Sequence, residues 1–104
     1  MLPAMEKVYW VYILASRGGG ALYVGVTNNP GRRIHDHRTG HGSEHVHRYR
    51  IWRLVYAESF TNVWEAIARE KQLKKWRRQW KIDLIEAANP AWDDLYPHIH
   101  SEPG

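Results

Sequence analysis

The stretch that decides the fold is Val8-Tyr-Trp-Val-Tyr-Ile-Leu14, followed after a short gap by Ala21-Leu-Tyr-Val-Gly-Val26. Both runs are rich in aromatic and β-branched residues, which are typical of β-strands. Between them, Ser16-Arg-Gly-Gly-Gly20 has the composition of a turn. The two runs therefore predict an antiparallel hairpin, with Tyr12 on one strand and Tyr23 on the other.

After the hairpin, the sequence predicts three helices and one more strand. Asn29 and Pro30 form a helix-start signal, since Asn caps a helix and Pro is tolerated at its first position. Asn62 and Glu65 resemble a capping box at the start of another helix. The predicted elements are a helix over residues 31–38 that stops at Gly40, a strand over 51–57, a helix over 63–76 and a helix over 79–88.

This element order, ββαβαα, predicts the α/β (α+β) fold class, with a small three-stranded antiparallel sheet flanked by helices. The length of 104 residues fits one domain over 1–104, with a core at about 8–95 and loose ends at 1–6 and 97–104. From residue 91 onward, we expect the chain to be irregular. No run reaches the roughly 18 apolar residues of a membrane span, and no signal-peptide cleavage site follows the first apolar run. We therefore expect a soluble, cytoplasmic protein with no membrane partner, and a monomer in preference to an oligomer.

Charge is distributed unevenly along the chain. All 15 Lys and Arg residues lie between Lys7 and Lys81, whereas residues 82–104 carry five acidic residues and no basic one. A basic body of this kind indicates a polyanionic partner, with nucleic acid the first candidate, although an ordinary solvated surface explains the composition equally well. The absence of cysteine excludes disulfides, thiolate nucleophiles and Cys-ligated zinc.

Glu70 is the most unusual residue in the helical pattern. It lies four residues after Ala66 and three before Leu73, which places its carboxylate at the margin of the apolar face. A carboxylate there is costly unless it is paired or bound to a metal. The alternative to a functional role is a surface ion pair with Lys74, one turn later.

Three further features are candidates for chemistry, and each has a plain structural alternative. Arg33 and His37 are one helical turn apart and form a pair suited to phosphate, or are simply surface residues. Tyr12 and Tyr23 can orient a water or accept a proton, or are cross-strand packing. The basic run over residues 69–81, with two interleaved tryptophans, suits a phosphate backbone, or is the solvated face of a helix.

Taken together, these residues resemble the GIY-YIG nuclease domain. The two tripeptides that name the family are matched by Trp10-Val11-Tyr12, with Trp in place of Gly, and by Tyr23-Val24-Gly25. The match spans roughly residues 8–95 and most resembles the compact single-domain bacterial members. The other matched positions are, in chain order, Arg33, His37, Glu70 and Asn89.

The resemblance implies a metal-dependent endonuclease that hydrolyses phosphodiester bonds in DNA, in repair or recombination, on branched, nicked or single-stranded forms; RNA stays open as a substrate. One divalent cation, Mg²⁺ or Mn²⁺, would sit on Glu70. Arg33 would neutralise charge on the phosphoryl oxygens, and Tyr12 would orient or deprotonate the attacking water. A role for Tyr12 as a base requires Arg33 or the metal to lower its pKa.

Other roles follow from the same resemblance. Tyr23 and His37 would shape the hydrogen bonds of the site, Gly25 belongs to the backbone of the motif, and Asn89 would support the site. A second family histidine would be His41, His45 or His47, and the spacing does not choose among them. The cations expected to bind nucleic acid are Arg32, Arg33, Arg38, Arg69, Lys71, Lys74, Lys75, Arg77 and Arg78.

Two alternatives to a nuclease remain at this point. The first is a nucleic-acid-binding module that keeps the nuclease fold but has little or no cleavage activity. The second is a partner-recruiting domain whose acidic tail docks a basic protein. Binding to nucleic acid would weaken steeply with salt, because counterions are released, and this separates it from the second alternative.

Overall fold

The computed structural model describes residues 7–39 and 48–100, and the side chains up to residue 98. Gly40, His41, His45 and His47 lie outside the described residues. The predicted element order and the three-stranded antiparallel sheet are confirmed, with a short helix added near the carboxyl end. The elements are β1 (Tyr9–Ala15), β2 (Leu22–Thr27), α1 (Pro30–Arg38), β3 (Arg53–Phe60), α2 (Val63–Lys75), α3 (Arg78–Ala88) and α4 (Tyr96–His100).

Strand β1 lies in the middle of the sheet, whose order is β2-β1-β3, and both of its faces are buried. Val11 and Ile13 belong to one hydrophobic cluster, whereas Tyr12 and Leu14 belong to the other. Because side chains alternate between the two faces of a strand, a strand covered on both faces has no polar side in its sequence. This explains why the run before the first turn is continuously apolar and aromatic.

Helices cover the two faces of the sheet. Helix α1 supplies Ile34 to the cluster that contains Tyr12, and helices α2 and α3 supply Ala66, Leu73 and Ile85 to the opposite cluster. Both predicted N-caps are present. The side chain of Asn29 accepts a hydrogen bond from the Arg32 N–H, and that of Asn62 accepts from the N–H groups of Trp64 and Glu65.

Two boundaries differ from the sequence-based expectation. Strand β3 runs over Arg53–Phe60 rather than residues 51–57, because its register with β1 pairs Arg53 with Ala15 and Phe60 with Tyr9. Helix α4 falls within the segment that was expected to be irregular. Its start is stabilised by Asp94, whose Oδ1 accepts from the Tyr96 N–H at 3.1 Å. Within the described residues, no helix combines the length and the apolar content that crossing a membrane requires.

Candidate active site

The site begins where β1 and β2 pair Tyr12 directly with Gly25. A Cβ atom at Gly25 would lie closer than 3.0 Å to the hydroxyl oxygen and to Cζ of Tyr12. The phenol ring therefore lies across the backbone of Gly25, in space that any other residue would fill. This close approach gives a steric reason for glycine at the end of the Tyr23-Val24-Gly25 tripeptide.

Tyr12 reaches from the sheet to helix α1. Its hydroxyl oxygen is 3.2 Å from Nε2 of His37, and both side chains are buried. Tyr23 completes an aromatic group, because its ring centroid is 5.3 Å from that of His37, edge to face, and 6.4 Å from that of Tyr12. Three residues far apart in sequence thus form one packed cluster on the α1 side of the sheet.

Arg33 adds a positive charge to this cluster from the exposed side of α1. Its interaction with the Tyr12 hydroxyl, and more weakly with Tyr23, raises the pKa of the guanidinium against the opposing effect of burial. The one-turn spacing of Arg33 and His37 therefore places both side chains against Tyr12, as a shared helix face requires. The arrangement presents a fixed cation beside two phenols.

Burial controls the protonation of the two central groups. Burial raises the pKa of Tyr12 to about 12, although Arg33 acts to lower it. Burial, together with the charge of Arg33, lowers the pKa of His37 below its ordinary 6.5. Arg33 alone therefore does not meet the condition for Tyr12 to act as a base, because desolvation of the phenol outweighs the guanidinium. Near pH 7 the pair consists of a neutral phenol and a neutral imidazole.

Glu70 lies on α2 with its side chain only 14% exposed, and its Oε2 is 2.9 Å from Nζ of Lys74. The ion pair weighed as the alternative role of Glu70 is thus present. The carboxylate also lies near enough to Tyr12 for its charge to help raise the pKa of the phenol. Glu70 is therefore paired with Lys74, and its charge also acts on the buried phenol.

Glu70 offers a metal one carboxylate, which is compatible with a hydrated Mg²⁺ or Mn²⁺ ion. Residues 7–39 and 48–98 contain no cluster of three or more His, Asp or Glu side chains that can enclose a metal. A single carboxylate suits Mg²⁺, which keeps several of its waters when it binds proteins. Glu70 is the residue that would hold the ion, in exchange for the Lys74 ammonium.

Comparison with known proteins identifies the family of this chain. The model of the GIY-YIG catalytic domain matches residues 8–83, which contain every residue of the cluster and Glu70. The chain belongs to the GIY-YIG family. The resemblance seen in the sequence is therefore confirmed, and it places the chain in a nuclease family whose members generally use a divalent metal.

Bacterial relatives of this GIY-YIG chain match it over most of their length. A UPF0213 protein of Oceanobacillus iheyensis is 35% identical over 82 residues, which are 79% of this chain and 94% of that protein. A UPF0213 protein of Clostridium perfringens is 40% identical over 78 residues, 75% of this chain and 83% of that one. The solution NMR structure of a UPF0213 protein from Bacillus halodurans aligns with a TM-score of 0.54 and 28% identity, over 85% of this chain and 93% of that chain.

The Asn89 side chain bonds to the backbone of β3 and of the turn after α3. Its Nδ2 donates to the carbonyl oxygens of Val55 and Asp93 at 3.1 and 2.9 Å, and its Oδ1 accepts from the Asp93 N–H at 3.0 Å. Val55 is the extra residue where the β1–β3 register shifts, between the pairs that involve Tyr56 and Leu54. A residue in a bulge lacks a partner on the neighbouring strand, and Asn89 supplies one for the Val55 carbonyl.

The cations expected to bind nucleic acid fall into three groups. Three of them have internal partners: Arg38 donates to the Trp52 carbonyl and to Asp94, Arg69 to Glu58, and Arg78 to the carbonyls of Gly19 and Gly20. Arg32 lies 3.9 Å from Asp36 at an exposed position, and Lys74 pairs with Glu70. The others are exposed on α1, on α2 or at the junction of α2 and α3, and they are Arg33, Lys71, Lys75 and Arg77.

Asp94 is an organising residue that the sequence reasoning missed. Its Oδ2 is 2.8 Å from the Arg38 guanidinium, while its Oδ1 accepts from the Leu54 and Tyr96 N–H groups. Burial acts to raise the pKa of Asp94, but these hydrogen bonds and the charge of Arg38 lower it below its ordinary value. The only local signal was an Asp two residues before the start of α4, a position from which Asp often bonds to the backbone.

Proposed function

We propose that this GIY-YIG domain is a metal-dependent endonuclease that hydrolyses phosphodiester bonds in DNA, on branched, nicked or single-stranded forms, in repair or recombination. One observation carries the proposal. A buried Tyr12–His37 pair lies beside the guanidinium of Arg33, with the Glu70 carboxylate acting on the same phenol. A purely structural cluster has no need of a cation beside the buried phenol, or of a largely buried carboxylate on the neighbouring helix.

Tyr12 and His37 would move a proton from the attacking water. With its pKa at about 12, Tyr12 is a neutral phenol, and with His37 in the tautomer that leaves Nε2 unprotonated, its hydroxyl would donate to that nitrogen at 3.2 Å. Its oxygen lone pairs can then accept a hydrogen bond from water. As the water attacks phosphorus, its proton passes to the Tyr12 oxygen while the Tyr12 proton passes to Nε2 of His37. No free tyrosinate is needed, and a neutral imidazole is the form that can accept.

Arg33 would stabilise the charge that builds on the phosphate. Its raised pKa keeps the guanidinium charged at every working pH, and its place beside Tyr12 brings it close to the point of attack. Preorganised cations aimed at developing charge contribute strongly to hydrolysis. A Mg²⁺ or Mn²⁺ ion held by Glu70 supplies Lewis-acid polarisation of the scissile phosphate when it is bound.

The test compares substrates and one carboxylate variant. Purified protein is incubated with supercoiled, single-stranded and branched DNA, and with RNA, in the presence of Mg²⁺ or Mn²⁺. We expect Glu70→Ala to abolish metal-dependent cleavage while DNA affinity changes by only a few fold. Arg33→Ala should reduce the rate by about 100-fold or more, because it removes a charge that acts in the transition state.

Glu65→Ala is the matched control, because Glu65 is an exposed carboxylate on the same helix. It should cleave like the wild type. If wild type and Glu70→Ala behave alike on every nucleic acid, the nuclease proposal is wrong.

The Glu70–Lys74 ion pair favours a second candidate function. An ammonium at 2.9 Å competes with any cation for the same carboxylate. A domain in which this competition is not overcome would bind nucleic acid without cutting it. Lys74→Met separates the two possibilities, because an endonuclease held back by the ion pair should then reach half-maximal cleavage at a lower Mg²⁺ concentration. A binding module should remain inactive at all concentrations.

A further inference from the structure

A second feature of the molecule is an apolar cleft at the junction of α2 and α3. The cleft has a volume of about 360 Å³, and its walls are Trp76, Trp80, Asp83 and Leu84. Trp76 and Leu84 are partly buried against the hydrophobic core, whereas the Trp80 side chain is 49% exposed. The two indole rings meet edge to face at 86°, with centroids 5.9 Å apart. The core thus holds one indole in place and leaves the other available at the surface.

Cations lie over both indole rings. The Arg69 guanidinium is 5.1 Å from the Trp76 ring centroid, and the Arg77 guanidinium is 5.0 Å from that of Trp80. Arg69 is held in position by Glu58, which accepts from its Nε at 2.6 Å. Exposed Lys71 and Lys75 add charge on the helix that leads to the cleft. Aromatic rings flanked by guanidinium groups and basic residues are the combination that binds unpaired bases together with their phosphates.

The polar group in the wall of the cleft suits a base as well. Asp83 contributes a carboxylate, of which Oδ1 accepts from the Gln79 side-chain amide at 2.9 Å. A carboxylate repels a phosphate, but it accepts hydrogen bonds from the exocyclic amino group of a base. The cleft volume lies at the small end of the range for ligand sites, which matches one heterocycle rather than a larger group.

We propose that the Trp76–Trp80 cleft binds an unpaired nucleobase of the nucleic acid on which this domain acts. The inference rests on the proposed function, because it assigns the substrate a single-stranded segment beside the cleavage site. Charge complementarity favours a nucleic acid over an apolar protein segment, since the cleft is bordered by Arg69, Arg77 and the lysines of α2. Trp76 is the residue that directly follows α2, so the cleft lies at the carboxyl end of the helix that carries Glu70.

Binding is measured with the full chain in EDTA, so that cleavage plays no part. Fluorescence anisotropy compares a labelled single-stranded DNA oligonucleotide with a blunt duplex of the same length. Trp80→Ala should weaken single-strand binding by about 5- to 150-fold, the effect of losing one stacked base. Duplex affinity should change by less than about threefold, because it depends on phosphate contacts that remain.

Trp64→Ala is the matched control, since Trp64 is a 74% exposed tryptophan at the other end of α2. It should leave both affinities unchanged. A second arm uses a single-stranded oligonucleotide made of abasic nucleotides. The wild type should bind this strand as weakly as Trp80→Ala binds the normal one, and Trp80→Ala should not distinguish the two strands. Urea unfolding confirms that each variant is folded.

Three results would overturn the inference. The first is a Trp80→Ala variant that binds single strands as tightly as the wild type. The second is an equal loss for single strands and duplex, which would show that Trp80 acts through general affinity. The third is wild-type self-association that Trp80→Ala abolishes, which would make the cleft a contact between copies of the chain.

The outcome is separable from the nuclease proposal. In one outcome, Trp80→Ala removes base-dependent binding, while the wild type cleaves no better than Glu70→Ala. This result supports the base-binding cleft and refutes the nuclease proposal. In the other outcome, cleavage of single-stranded substrates requires Glu70 but is unchanged in Trp80→Ala. This result supports the nuclease proposal and refutes the base-binding cleft.

Discussion

The contact between Tyr12 and Gly25 makes Gly25→Ala a sharp test of the site's construction. Gly25 does not have a positive φ, so its backbone conformation does not itself require glycine. The requirement is steric, because an added methyl group would lie closer than 3.0 Å to the hydroxyl oxygen and Cζ of Tyr12. Tyr12 is fully buried on the α1 side of the sheet, so its ring cannot move away without disturbing neighbouring core side chains.

The magnitude follows from two effects. Overpacking a buried site costs about 1–3 kcal/mol. Displacing the ring also loses the hydrogen bond between Tyr12 and His37, worth about 1 kcal/mol. We therefore expect Gly25→Ala to lower the free energy of unfolding by about 2–4 kcal/mol. Since a domain of this size loses about 4–8 °C in Tm per kcal/mol, Tm should fall by roughly 8–30 °C.

Urea unfolding followed by tryptophan fluorescence measures the change, with Gly18→Ala as the matched control. A Cβ at Gly18 would meet Cγ and Cβ of Trp92 at 3.7 and 3.8 Å, which are ordinary contacts, so its stability should stay within about 1 kcal/mol of the wild type. Tyr12→Phe in the Gly25→Ala background removes the nearest clashing atom and should recover part of the loss. The steric reasoning is refuted if Gly25→Ala unfolds at the same urea concentration as Gly18→Ala, or if the two substitutions at Tyr12 and Gly25 are additive.

Three further predictions concern groups whose partners are distant in sequence. Because the pKa of His37 is lowered in the folded chain, the unfolded chain binds this proton first as the pH falls below 6.5. The free energy of unfolding should therefore decrease as the pH drops below 6.5. Urea titrations at several pH values measure this slope, and His37→Gln should flatten it. Asn89→Ala should cost about 2–4 kcal/mol in thermal or urea unfolding, since it removes three hydrogen bonds and leaves the buried Val55 carbonyl without its donor, and Asn89→Asp should not rescue it because the donor is still missing. Asp94→Asn should lower the free energy of unfolding by about 1 kcal/mol at pH 7, an amount limited by the partial exposure of its pair with Arg38. The wild type should lose the same stability only as the pH falls below 3.8, because the pKa of Asp94 is lowered in the folded chain. Asp93→Asn, at the neighbouring exposed position, should leave both the stability at pH 7 and this acid dependence unchanged.

The parts of the fold that could be predicted from the sequence are those with local causes. The hairpin follows from two apolar runs joined by a glycine-rich turn, and its observed pairing sets Tyr12 opposite Gly25. Asn29 and Asn62 bond to backbone N–H groups two or three residues further along, so the cap is already determined by its immediate neighbours. Likewise, the one-turn spacing of Arg33 and His37 determines a shared helix face without knowledge of the rest of the chain.

Contacts that close long loops carry no comparable signal. Asn89 bonds to Val55, 34 residues away, and Arg38 bonds to Asp94, 56 residues away. Neither residue type is unusual at its position, and the bulge that leaves the Val55 carbonyl in need of a donor exists only once β1 and β3 are paired. Asn89 therefore matched a family position by sequence, while its observed contacts lie with the backbone of β3 and the turn after α3.

The protonation state of the site could not be predicted for a different reason. The family resemblance implies that Arg33 and Tyr12 belong to one site, and a nearby cation by itself lowers the pKa of a phenol. The structure adds burial on every other side, because Tyr12 is packed with Ile34, Leu14 and Leu54 beneath α1. Desolvation then exceeds the effect of the guanidinium and raises the pKa of Tyr12 to about 12. In the proposed mechanism, the water's proton would therefore pass through the Tyr12–His37 pair instead of resting on a tyrosinate. We therefore expect activity to fall at acidic pH as His37 is protonated.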